Sequence, residues 1–178
     1  MKLTQKELNW RIEKAQAYLS EIGNSQTFRK EIEATEELAK TEGIEAYWKL
    51  QDKLSRELAN HLINYKGIDE ATYFCSKLAD ILNGIETPEE KWYRIREWTK
   101  EFLREDKDIP SSELLKKTAD EAIIEDTIDG YYNLLKSFRK NYDEIAKLKG
   151  SEENTDNFLE KLTNVVHDKK QVVEIKKT

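Results

Sequence analysis

Six glycines and two prolines are the only strong backbone breakers in these 178 residues. Glycine supplies left-handed turns and proline removes an amide donor, so a chain poor in both has few places to reverse direction. An antiparallel sheet would need turn signals roughly every 8–12 residues. Helices need far fewer, and the apolar residues agree, recurring at spacings of three and four along most of the chain.

Thr4 and Glu7 form a capping box, and Leu8, Ile12, Ala15, Leu19 and Ile22 follow in one narrow stripe that ends at Gly23-Asn24. A weaker second helix is predicted over about 26–41, with Phe28, Ile32, Thr35 and Ala39 inward and Arg29–Glu33 and Glu36–Lys40 pairs outside. After Gly43 a third helix runs to about Tyr65, and its apolar arc is wide enough to touch more than one neighbour. A fourth, capped by Asp69, ends at Asn83-Gly84. Thr87-Pro88-Glu89-Glu90 is the clearest helix start: an N-cap threonine, proline at the first helical position and glutamate at the third. Helix five, over 88–105, is expected to bury Trp92, Ile95, Phe102 and Leu103.

The charged, non-periodic segment 105–111 reads as a linker. Beyond it, 112–149 reads as one long helix in which Ile124, Ile128, Tyr131, Leu135, Phe138, Tyr142 and Ile145 alternate spacings of four and three, a heptad seam. A last helix spans about 154–167. The expected fold is therefore all-α: a bundle of six or seven helices forming a single domain over 1–178, divisible at most into 1–84 and 87–170 packed together. Residues 171–178 are expected to be a frayed basic tail.

Charged residues make up 37% of the chain and hydrophobic ones 38%. Four tryptophans, eight tyrosines and five phenylalanines separate it from disordered chains of similar charge, which hold few aromatics. The net charge of −6 comes from 36 acids and 30 bases, interspersed, which argues against a general grip on nucleic acid. A single cysteine, Cys75, permits no intramolecular disulfide. No apolar run has the length of a membrane span or of a signal-peptide core, so a soluble, cytoplasmic protein is expected.

Catalytic signatures are few. Two histidines, His61 and His167, and one cysteine leave little for nucleophilic chemistry or a structural zinc site. His167-Asp168 has no later aspartate to complete an HD-type phosphohydrolase site, and Glu-x-x-His pairs of the ferritin-like kind are lacking. The enzymatic alternative is a Mg²⁺-dependent phosphohydrolase using helix-borne carboxylates, with Glu121, Glu125 and Asp129 at i, i+4 and i+8 along one flank of the seam. The all-α nucleotide pyrophosphohydrolases place Glu-x-x-Glu and Glu-x-x-Asp on adjacent helices. The nearest spacings here are Glu33-x-x-Glu36 and Asp126-x-x-Asp129, which lie about ninety residues apart.

Two tryptophans fit the predicted core poorly. Trp10 projects opposite the Leu8–Ile12–Leu19 stripe, and Trp98 lies beside Lys91 and Arg94, off the Ile95 face. Trp and Arg anchor protein interfaces more often than other residues do. The reading that follows is a non-enzymatic helical protein–protein interaction module, binding another protein or itself through Trp10, Arg94 and Trp98, without metal or cofactor. The alternative for the two tryptophans is that both fill intramolecular gaps, with Arg94 stacked on Trp98.

Overall fold

The computed structural model describes residues 3–22, 29–59 and 68–169. Among them lie nine α-helices and one 3₁₀ turn, with no strand: α1 (Gln5–Ile22), α2 (Arg29–Glu42), α3 (Ile44–Ala59), α4 (Ile68–Asn83), α5 (Pro88–Glu105), the 3₁₀ turn Ile109–Ser111, α6 (Glu113–Glu125), α7 (Ile128–Lys140), α8 (Tyr142–Lys149) and α9 (Glu152–Val166). None of these helices is long and apolar enough to cross a membrane. The chain is all-α, with more and shorter helices than the six or seven expected. It divides into two compact units, Met1–Glu86 and Thr87–Thr178. The predicted ends at Gly23-Asn24, Tyr65 and Gly67, together with Phe28, His61 and the 171–178 tail, lie outside the described residues.

In the first unit, the Thr4–Glu7 box forms as expected. The Thr4 amide donates to Glu7 Oε2 at 3.1 Å, and the Glu7 amide donates to Thr4 Oγ1 at 3.2 Å. Ala15 and Leu19 of the stripe are fully buried, and α1 packs on α4 and α3. The wide arc of α3 meets three neighbours, α1, α2 and α4, with Tyr47, Leu50 and Leu54 buried. On α2, Arg29 pairs with Glu33 as expected, but Lys40 turns to Glu37, one residue nearer than Glu36. The end of α4 is closed by Gly84 in a left-handed conformation (φ +72°), and Arg11 reaches across from α1 to donate to the Leu82 carbonyl at 2.9 Å. A cation at a helix C-terminus satisfies an orphan carbonyl and meets the negative end of the dipole.

In the second unit, Thr87 caps α5 by accepting from the Glu90 amide at 3.2 Å, with Pro88 at the first helical position. Ile95, Thr99 and Leu103 are buried, but Trp92 is 54% exposed, against expectation. The segment after α5 is no linker. Asp106 Oδ1 accepts from the amides of Asp108 and Ile109, both at 3.0 Å, and winds the chain into the 3₁₀ turn with Ile109 buried.

The long helix expected over 112–149 is three helices. Asp126 ends α6 in the left-handed region (φ 49°), and Thr127 restarts the chain as the N-cap of α7, accepting from the Gly130 amide at 3.0 Å. Asn141 makes the second break, bonding back to Ser137 and Phe138 carbonyls. Ile124 falls out of phase and is 83% exposed. Past the first break, Tyr131, Leu135, Phe138 and Ile145 are buried and share one core with Leu159 and Leu162 of α9, whereas Ile128 and Tyr142 of the predicted seam are only half-buried. Gly150 (φ +84°) closes α8, and Ser151 caps α9 two residues earlier than predicted.

Candidate functional site

The second unit holds its polar chemistry around α5, which contacts α7 and α9. Each of two aspartates that end helices in the left-handed region, Asp126 after α6 and Asp168 after α9, is gripped by cations from α5. Arg94, only 9% exposed, donates from both terminal guanidinium nitrogens to Asp168, at 2.7 and 3.0 Å, and Lys91 approaches the same carboxylate at 3.7 Å. A two-pronged contact of this kind is the strongest form of ion pair and is fixed in direction. The Arg94 guanidinium also lies 4.8 Å from the centre of the Trp98 ring. His167 stacks its ring on Tyr132 of α7 at 5.1 Å, so both residues that close α9 are anchored.

Asp126 receives Lys100 at 3.3 Å and the Tyr131 hydroxyl at 2.9 Å, while Arg96 donates to its backbone carbonyl at 3.2 Å. Burial disfavours the ionised carboxylate, but the Tyr131 hydroxyl, Lys100 and Arg96 outweigh it and hold the pKa below the ordinary aspartate value. The Lys100 ammonium is raised, first by its hydrogen bond to Glu97; burial opposes the charge, and the bond to Asp126 adds to the rise. Burial pushes the Tyr131 hydroxyl up, and its bond to Asp126 adds to that.

A third clamp ties α8 to the end of α5. Lys149 donates to Asp106 at 2.6 Å and Asp108 at 2.8 Å and sits 4.6 Å from the Phe158 ring centre. Burial opposes its charge, and the two carboxylates more than offset that, raising its pKa. In all three clamps a carboxylate faces a fixed cation. The cluster holds helices together.

The carboxylates proposed from sequence do not line one helix face. The chain breaks at Asp126, so Glu121 and Glu125 end α6 while Asp129 opens α7. Glu121 is exposed and 3.9 Å from Lys117; Glu125 accepts from the Thr127 hydroxyl at 2.9 Å and folds over the start of α7. Among the described residues no three His, Cys, Asp or Glu side chains gather as a metal could use them. Cys75 is buried, and burial raises its thiol pKa, which disfavours reactivity.

Of the tryptophans named from sequence, Trp10 is half-buried, its indole N–H donating to Glu86 at 3.4 Å, and Trp98 is half-buried beside Arg94. Trp48 is half-buried as well. Trp92 alone among the four is exposed, next to Tyr93, which is 51% exposed. Sequence reasoning placed Trp92 inside because it lies within about 60° of Ile95 on a helical wheel. Phase cannot distinguish the two. What differs is position along the axis: the first buried residue of α5 is Arg94, so the opening of the helix has no core to cover it. The chain matches no protein-family model, no curated protein and no solved structure.

Proposed function

We propose that this chain is a non-enzymatic helical interaction module that binds another protein through the opening of α5, with Trp92 as its anchor. One observation carries the reading: of four tryptophans, Trp92 stands exposed, on a helix whose next turns are clamped at Arg94, Arg96 and Lys100. A large aromatic left in water gains more from burial against a partner than any other side chain, and presenting it on a fixed helix lowers the ordering cost of binding. Arg94 and Trp98 serve this reading as the support that fixes the helix. Trp10 would be a secondary contact in the first unit.

Site-specific photocrosslinking in the native cell tests it. A photoreactive residue at position 92 should give a discrete adduct with another protein, and the same residue at exposed Ser20 should not. Trp92→Ala should remove binding of that protein while shifting the denaturation midpoint little, since the side chain is not core. No specific adduct at 92, or an adduct with this chain alone, overturns the proposal of a separate partner. A large stability loss on Trp92→Ala would assign Trp92 to packing instead.

A further inference from the structure

In the first unit, α2 and α3 meet at Gly43 and leave between them a shallow cavity of about 190 Å³. Its apolar surface comes from Ala34 and Leu38 on α2 and from Ala46 and Leu50 on α3. Pockets that enclose small molecules run to about 300–1,000 Å³. This one is the size of a side chain or two. The polar group on its floor, the Thr35 hydroxyl, already donates to the Glu31 carbonyl at 2.7 Å, so nothing there demands a polar ligand. Ala34 and Ala46 are small enough to let another helix come close.

The charges at the rim are uneven. Along α3 stand Lys49 and Lys53; on α2 stands Glu31. Lys49 is paired with Glu42, whereas Lys53 has no ion pair among the described residues. An occupant is therefore favoured that puts carboxylates over the α3 edge and an apolar side chain into the cavity. We propose that this groove docks an acidic amphipathic helix from a partner protein, seating one aliphatic or aromatic residue between Ala34 and Leu50 with flanking Asp or Glu on Lys53 and Lys49. This is the helix-in-groove mode of recognition. It does not depend on the Trp92 reading.

The probe is a synthetic helical peptide of about 15 residues, with leucines at i, i+3 and i+4 spacing and glutamates along one edge, beside a twin carrying lysines in place of the glutamates. Binding is read on the full chain by fluorescence anisotropy of labelled peptide and by amide shift mapping. The acidic peptide should bind and shift amides within 31–53, and the basic twin should bind at least several-fold more weakly. Lys53→Glu, an exposed change, should weaken the acidic peptide by roughly five- to ten-fold. Ala34→Arg should block the cavity and abolish binding of either peptide. The proposal is overturned if neither peptide binds, if both bind equally, if the shifts fall outside 31–53, or if Lys53→Glu changes nothing. It is equally overturned if the chain self-associates and Ala34→Arg abolishes that, since the groove then serves a second copy.

Discussion

At the start of α7 a side chain closes over a glycine. Thr127 Oγ1 accepts the Gly130 amide at 3.0 Å and donates to Glu125 Oε1 at 2.9 Å, which lays the Glu125 carboxyl over the first turn. A Cβ at position 130 would stand 2.9 Å from Glu125 Cδ. In an ordinary helix, Gly→Ala gains about 0.5–1 kcal/mol by limiting the unfolded chain. Here that gain is opposed by displacing a carboxyl that accepts a hydrogen bond from the N-cap threonine. Gly130→Ala should accordingly be more favourable in a Glu125→Ala background than in the native one, by about 0.5–1 kcal/mol in a double-mutant cycle on urea denaturation. Equal effects in both backgrounds would show that the carboxyl exerts no pressure at this glycine. The sequence could not show what approaches Gly130, because that depends on a break four residues earlier.

At the scale of the element, the heptad seam is the instructive case. Residue spacing counts positions along the chain and does not register a two-residue interruption, so Ile124 to Ile128 looked like one more step of four. Asp126 and Thr127 were the warning: Asp tolerates the left-handed region and Thr is a strong N-cap. The phase survives within α7, and this can be tested between adjacent residues. Leu135 is buried among Tyr131, Phe138 and Leu162, while Lys136 is exposed. Leu135→Ala should cost about 2–5 kcal/mol through lost transfer energy and the cavity left behind. Lys136→Ala should stay within about 0.5 kcal/mol. Two variants unfolding at one denaturant midpoint would contradict the packing of α7 described above.

At the scale of the molecule, the clamps predict how stability depends on pH. Asp126 is depressed in the folded protein, so its contribution is present above the ordinary aspartate value of 3.8 and disappears as pH falls through the lower folded value. Lys100 and Lys149 are raised, so theirs is complete below the ordinary lysine value of 10.5 and disappears as pH climbs through the higher folded values. The denaturation midpoint should hold level between these limits and fall outside both. Asp126→Asn keeps a residue tolerant of the left-handed region but removes the charge. It should lower the midpoint at pH 7 and flatten the decline below pH 4, measured by urea titration monitored by circular dichroism. An unchanged acid slope in the variant would remove Asp126 from the account.

What the sequence determined by itself was the local physics. Sparse breakers, capping boxes at Thr4 and Thr87, and stripes at helical spacing specify helices whatever surrounds them, because each depends on neighbours three or four residues away. The all-α class followed from that, as did the buried positions Leu19, Ile95, Leu135 and Phe138. The tertiary structure decided which cations meet Asp126 and Asp168, since their partners on α5 are 26–77 residues distant along the chain. It also decided that Trp92 is exposed, since helical phase describes direction around an axis and not how far along that axis a neighbouring helix extends. Any carboxylate row along 112–149 was decided there too: one left-handed residue at Asp126 redirected the chain, and Asp129 went with the new helix.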